Sequence, residues 1–260
     1  MTHILSRRSF LAATAATGAY SLLPAMVRAA SPLGLTATTR VLDIDGRAAS
    51  VLGIASSTGG QGLILNPGEA FRLSLTNALD VETILHWHGQ IPPNAQDGVP
   101  GIPMPALTPG ESRDYDFTPR PGTHWMHSHI PVQEMQLLAA PLIVRRPEEV
   151  SEDRQEVVMF LHDFSFTPPE EILAGLGGGM GGMTHAMHGM TGSEGAMDMG
   201  GMGMGGMGMG GGMAMDLNDI AFDAYLANDR TLNDPEVIQV EAGGRVRLRI
   251  INAAAATVFW

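Results

Sequence analysis

The chain alternates short runs of β-branched, leucine and aromatic residues with clusters of Gly, Pro, Asn and Asp. Between residues 32 and 147 no stretch sustains the 3.6-residue period of an amphipathic helix, and pairs such as Pro109-Gly110 and Pro121-Gly122 mark turns between the runs. Short strands separated by turns in one small domain are typical of an all-β, Greek-key sandwich. The predicted strands are 39–44, 62–65, 70–76, 83–88, 112–118, 123–129 and 138–144.

A second unit is predicted after a charged linker at residues 147–154. A strand at 155–161 opens it, a low-complexity stretch interrupts it, and strands resume at 237–240 and 245–251. The sequence stops at Trp260 in an apolar, strand-like stretch, and a bare apolar edge is unusual in a folded domain. We therefore expect the natural protein to continue, with a first β-sandwich domain at 31–147 and the start of a second at 148–260.

The N-terminus has the pattern of an export signal. Arg7 and Arg8 precede an alanine-rich apolar run to Leu23, and small residues follow as far as Ala30. This order predicts a twin-arginine signal peptide over residues 1–30 and delivery to the periplasm. The alternatives are a membrane anchor or an ordinary secretory signal, but the apolar run is short for a span. No other segment predicts a membrane span in the mature chain.

Composition narrows the classes of function. Hydrophobic residues make up 44 % of the 260, enough for a sizeable core, and 27 acidic residues against 15 basic ones argue against a nucleic-acid partner. Cysteine is absent, so the chain has no disulfide, no thiolate ligand and no cysteine nucleophile.

Two His-x-His elements carry the strongest chemical signal: His86-Trp87-His88 and His127-Ser128-His129. On a strand, residues i and i+2 project from the same face, roughly 6–7 Å apart at their Cα atoms. One such pair is often structural, but two pairs at the ends of strands in one small domain predict a metal site. Four imidazoles without carboxylate ligands favour copper.

These elements lie within a longer pattern that resembles the first cupredoxin domain of multicopper oxidases. The pattern covers residues 38–147, and residues 247–252 resemble the start of the family's middle domain. The segments that carry the resemblance are 86–89, 93–94, 97–100, 109–110, 122–129, Gln133 and 140–144.

The resemblance implies a role for each motif residue. His86 matches a ligand of the type 2 copper, and His88, His127 and His129 match ligands of the paired type 3 coppers. Asp97 matches an acidic residue that supplies protons for oxygen reduction; the alternative is a turn residue before Gly98. His124 has no ligand counterpart and is expected on the solvent side of its strand. His162 is expected to be structural.

The activity that the resemblance implies is a copper-dependent oxidase. It would couple one-electron oxidation of Cu(I) or small phenolic donors to four-electron reduction of molecular oxygen to water. The chain departs from the family in lacking the type 1 copper cysteine, and it supplies at most four of the eight cluster histidines. The alternative is a non-catalytic periplasmic protein that binds or sequesters copper. A two-domain copper nitrite reductase is less favoured, because its type 1 cysteine lies in the first domain.

Residues 175–215 hold 12 of the 18 methionines and 18 of the 33 glycines, with His185 and His188 among them. Glycine at this density opposes stable helix. Thioethers are soft ligands that select Cu(I), so the segment predicts Cu(I) capture and favours a role in copper tolerance. The alternative is a flexible insertion without a role. The oligomeric state and the physiological donor leave no signal in the sequence.

The missing cysteine leads to a spectroscopic prediction. The 260-residue chain loaded with Cu(II) should show neither intense blue absorption nor oxidase turnover, because a type 1 site needs a thiolate. Visible spectra and oxygen consumption of the copper-loaded chain test this. A type 1 spectrum would show that the ligand assignment is wrong.

Overall fold

The computed structural model describes residues 32–184 and 220–260. The predicted signal peptide at residues 1–30 and residues 185–219 lie outside the described residues. Eleven strands are present in the described part: β1 (Leu33–Ile44), β2 (Arg47–Ser56), β3 (Leu63–Leu65), β4 (Phe71–Asn77), β5 (Leu85–His88), β6 (Ser112–Phe117), β7 (Gly122–Ser128), β8 (Ala139–Val144), β9 (Gln155–Phe164), β10 (Ala224–Ala227) and β11 (Val246–Asn252).

Two four-stranded sheets enclose the main core. The first has the order β2-β1-β4-β6 and the second β3-β8-β7-β5; β1 pairs in parallel with β4, and β3 with β8. Alternate residues of each strand point inward, as the two-residue period requires. Phe71, Leu73, Trp87 and Met126 are fully buried between the sheets. The predicted all-β sandwich is confirmed.

The hairpin of β1 and β2 was missed by the strand prediction, which placed nothing at residues 47–56. Asp45 and Gly46 join the two strands with positive φ angles of 52° and 84°. An Asp-Gly pair in this conformation is a strong hairpin signal, because the turn's twist matches that of the strands. Small residues in β2 weakened the apolar pattern there.

A third sheet, in the order β10-β9-β11, packs on the outer face of the second sheet. Strand β8 is buried on both faces as a result, with Ala139 and Ile143 against Phe160 and Ile251. The strands predicted at 155–161 and 245–251 are present as β9 and β11, but the one predicted at 237–240 is wrong, since these residues are irregular. Division into two domains near residue 147 stays a prediction.

Two helices follow the sandwich: α1 (Pro147–Ser151) and α2 (Pro169–Thr184). Helix α2 extends into the glycine-rich segment, so the expectation that residues 175–215 oppose helix is wrong for its first ten residues. Pro169 and the acidic pair Glu170 and Glu171 occupy its first turn, where they suit the exposed N–H groups and the dipole. Neither helix of the described residues is long and apolar enough to span a membrane.

A buried ion cluster joins the third sheet to α1 and to β7. The guanidinium of Arg249, only 6 % exposed, donates to Glu156 (2.5 Å), Glu149 (3.0 Å) and the Thr123 hydroxyl (2.8 Å). Burial acts to raise the pKa of Glu156, but the hydrogen bonds and charges of its arginine partners outweigh it, so that this pKa lies below its ordinary value. The cluster is therefore charged on both sides and fully paired.

Removing the guanidinium takes one of two arginine partners from each of two largely buried carboxylates, leaving Glu156 with Arg145 and Glu149 with Arg247. Arg249→Ala is expected to lower the free energy of unfolding by about 3 kcal/mol, because a buried ion network that loses a partner holds its remaining charges less well compensated. Urea denaturation measures the change.

The matched control is Arg230→Ala, which breaks the exposed pair of Arg230 with Asp234, whose side chains are 50 % and 69 % accessible. Exposed pairs contribute less than about 1 kcal/mol. Equal losses for the two variants would contradict the structural importance of Arg249.

Candidate metal centre

The pairing of β5 with β7 brings the two His-x-His elements together. In this antiparallel register His86 lies opposite His127, and Trp87 lies opposite Met126. Since Trp87 and Met126 fill the core, the neighbouring histidines project from the other side of the second sheet. His129 follows directly after the last residue of β7.

The four imidazoles form one cluster. Ring centroids of His86 lie 4.5 Å from His129, 5.7 Å from His127 and 5.9 Å from His88. Those of His127 lie 4.9 Å from His129 and 5.4 Å from His88. The structure thus brings together all four histidines singled out in the sequence.

Backbone acceptors determine which ring nitrogen carries the proton in two of these histidines. Nδ1 of His86 lies 2.8 Å from the Asp97 carbonyl oxygen, and Nδ1 of His127 lies 3.1 Å from that of Ser128. A carbonyl oxygen can only accept, so each Nδ1 carries the hydrogen and donates. The Nε2 lone pairs of His86 and His127 are left free to bind a metal.

The spacing of one nitrogen pair suits a bound ion. Nδ1 of His88 lies 3.3 Å from Nε2 of His127. With metal–nitrogen bonds of about 2.0–2.1 Å, two ligands on a tetrahedral ion lie about 3.3 Å apart. Imidazoles are ligands that copper accepts, so the donor set fits. Within the described ranges, however, no group of three or more His, Cys, Asp or Glu side chains is arranged to hold one ion.

Trp125 packs on the cluster from the outer face of β7. Its ring stacks on His127 with centroids 4.2 Å apart and planes at 16°, and it lies 5.0 Å from His88. Partial burial lowers the pKa of His88 and of His129, and the neighbouring imidazoles lower each pKa further. Neutral imidazole is the form that binds a metal.

A tight approach of two chain segments places Asp97 beside His86. Gly98 has φ 78°, and a Cβ there would lie 1.8 Å from the Leu85 carbonyl oxygen, so only glycine fits. The Trp87 indole N–H donates to the Gln96 carbonyl at 2.9 Å. The Asp97 carboxylate lies 3.5 Å from Nδ1 of His86 and is one-third exposed. Asp97 therefore contacts both the cluster and solvent.

The two remaining histidines of the described part lie elsewhere. His124 was expected on the solvent side of β7, which is wrong: it is half-buried, with its ring against Gly89 and Gly122 and its Nε2 buried without a hydrogen-bond partner. His162 is 2 % exposed in β9, and burial lowers its pKa to about 4. It is neutral at physiological pH, in keeping with a structural role. His185 and His188 fall outside the described residues.

Sequence reasoning missed one carboxylate at the cluster. Glu134 lies with Oε2 3.3 Å from Nδ1 of His127. Its position depends on the loop between β7 and β8, which no pattern in the sequence predicts.

Comparison with known proteins supports a copper site. The family model described as multicopper oxidase matches residues 36–149. Copper resistance protein A of Pseudomonas syringae pv. tomato is 31 % identical over 185 residues, which are 65 % of this chain and 30 % of that protein. The multicopper oxidase MmcO of Mycobacterium tuberculosis is 30 % identical over 230 residues, 86 % of this chain and 43 % of the relative. The chain thus spans less than half the length of these relatives.

Solved structures show the same fold. The multi-copper oxidase of Pseudomonas thermotolerans superposes with a TM-score of 0.56 at 24 % identity, over 86 % of this chain and 46 % of that one. The blue copper oxidase of Nitrosomonas europaea gives 0.56 at 22 % identity, over 85 % and 60 %. Both proteins share the fold of this chain over the superposed residues. The match over residues 36–149 and the four clustered histidines identify this part of the chain as a multicopper oxidase domain.

Proposed function

We propose that the chain is part of a periplasmic copper-dependent oxidase that reduces molecular oxygen to water with electrons from Cu(I) or small phenolic donors. The convergence of His86, His88, His127 and His129 in a family domain is the observation that carries the proposal. The similarity to a copper resistance protein favours a role in copper tolerance. The N-terminal pattern with Arg7 and Arg8 supports export by the twin-arginine route.

We assign copper binding to the four histidines and proton transfer to Asp97. His86 is proposed to bind the type 2 copper, and the other three histidines the type 3 pair. The chemistry that bound copper supplies is single-electron transfer to oxygen. The carbonyls of Asp97 and Ser128 keep the Nε2 atoms of His86 and His127 available. The Asp97 carboxylate, one-third exposed and beside the cluster, is proposed to move protons from solvent, because oxygen reduction consumes them.

Substitution of single histidines in the complete oxidase tests this assignment. His127→Ala should lower oxygen consumption at least about 100-fold, since even neighbours that only orient a ligand contribute 10–100-fold. His86→Ala should instead perturb the type 2 copper signal in electron paramagnetic resonance first.

The matched control is His124→Gln, on the same strand as His127 but outside the cluster. It should keep the parent's copper content and oxygen consumption. Normal copper content and turnover in both His127→Ala and His86→Ala would show that the His-x-His elements are structural, and would favour a role other than oxygen reduction.

The electron donor is tested at the methionine-rich segment. Deleting residues 185–215, which leaves α2 intact, should slow oxidation of Cu(I) at low copper and spare oxidation of bulky phenols. The physical reason is that soft thioethers capture Cu(I) and have no part in binding a phenol. Steady-state kinetics with both donors measure the difference.

A length-preserving control separates thioether chemistry from the loss of chain. Replacing the methionines of 185–215 by leucine should reproduce the Cu(I) defect, and should abolish binding of Ag(I) to the segment while Zn(II) remains unbound in either form. Equal losses on both donors, or no loss on either, would leave the segment a linker and remove the preference for Cu(I).

A further inference from the structure

His86 and His127 have the same kinds of neighbour at Nδ1. Of the two carboxylates involved, only that of Asp97 belongs to the motifs found in the sequence. Nδ1 of His86 lies 2.8 Å from the Asp97 carbonyl oxygen and 3.5 Å from the Asp97 carboxylate. Nδ1 of His127 lies 3.1 Å from the Ser128 carbonyl oxygen and 3.3 Å from the Glu134 carboxylate. Each ring therefore faces one carbonyl and one carboxylate, and Glu134 stands to His127 as Asp97 stands to His86.

The loop that carries Glu134 is anchored by the residue before it. Gln133 is 4 % exposed, and its side-chain carbonyl accepts hydrogen bonds from Thr83 Oγ1 and Ser128 Oγ, both at 2.7 Å. Its amide donates to the Glu82 carbonyl at 2.8 Å. Buried polar groups that are fully paired rigidify their surroundings. The backbone at residue 134 is thus held against the start of β5 and the end of β7.

The same loop contains two residues in a rare backbone conformation. Val132 has φ 67° and Leu137 has φ 70°, in the left-handed region that side chains, β-branched ones above all, seldom adopt. Such conformations persist only where surrounding contacts impose them, and they concentrate at functional sites. These two residues lie on either side of Gln133 and Glu134, so the backbone conformation of the loop is imposed by its surroundings.

We propose that Glu134 is a positioning residue for His127. Its carboxylate shares the Nδ1 proton of His127 with the Ser128 carbonyl, and so fixes the tautomer and the ring plane. The Nε2 lone pair then points at Nδ1 of His88, 3.3 Å away. A carboxylate behind a metal-binding imidazole also raises its basicity. The inference rests on the proposed function only in taking that nitrogen pair as the place of a copper ion.

The contact with His127 is tested without metal. Nitrogen-15 NMR spectra of the metal-free chain report which ring nitrogen is protonated, and the His127 signals are assigned by their loss in His127→Asn. The parent should show His127 protonated at Nδ1, with slow exchange of that proton. Glu134→Ala should shift the Nδ1–H resonance and speed its exchange with solvent. Glu134→Gln, which keeps an acceptor oxygen, should stay closer to the parent.

The control is Glu148→Gln, which removes one negative charge at an exposed position of α1. It should leave the His127 resonances unchanged, whereas a general effect of net charge would move them equally. Unchanged His127 resonances in Glu134→Ala would overturn the proposal.

Affinity for Cu(II), measured by competition with a chelator, tests the consequence. Glu134→Ala should weaken binding at least about tenfold relative to Glu148→Gln, and Glu134→Gln should fall between them because it loses only the charge. Equal affinities would overturn the positioning role even if the NMR signals move. If the complete oxidase binds no Cu(II) at these histidines, the proposed function fails, while the NMR comparison still decides whether Glu134 fixes His127.

Discussion

The antiparallel register of β5 and β7 is the constraint on which the rest of the centre depends. It sets His86 opposite His127 and Trp87 opposite Met126. A slip of one residue in either strand would turn that strand's imidazoles into the core and its apolar side chain outward. Trp87 resists the slip, because it is fully buried and its indole N–H reaches the Gln96 carbonyl. The core residue between two histidines therefore determines where the histidines point.

The outer face of the second sheet, which displays the imidazoles, is covered beside them by the third sheet. Ile143 and Trp125 pack against that sheet's residues, and Arg249 ties it to Thr123 on β7 through a buried hydrogen bond. A charged side chain is expensive to bury unless it is fully paired. Glu149 and Glu156 pair with this guanidinium. The third sheet is therefore attached to the second by directional polar contacts as well as by apolar packing. Strand β7 is thus held from both sides, by the core and by the third sheet.

The sequence predicted what depends on period and composition. Seven apolar runs separated by turns were enough to predict the sandwich, and the His-x-His spacing predicted that each pair of imidazoles projects from one face. The resemblance to the family added that the two pairs serve one copper cluster. The sequence could not reveal Glu134, because the loop that delivers this carboxylate depends on the buried hydrogen bonds of Gln133 to residues far apart in the chain. The prediction of a strand at 237–240 was wrong because it relied on local composition alone. These residues are rich in apolar side chains, but in the described part of the chain they pair with no neighbouring strand.

The centre is organised by its neighbours before any metal binds. Strand register positions His86, His88 and His127, Trp125 stacks on His127, and carbonyl acceptors at Nδ1 orient His86 and His127. Little ordering of these three rings therefore remains to oppose metal binding. His88 and His129 remain exposed, and the nitrogen pair of His88 and His127 offers an ion two ligands at tetrahedral spacing. Each further ligand must then come from beyond these four rings. A preorganised but open set of imidazoles is suited to sharing its ions with a second group of ligands, because the exposed side is where such a group can approach.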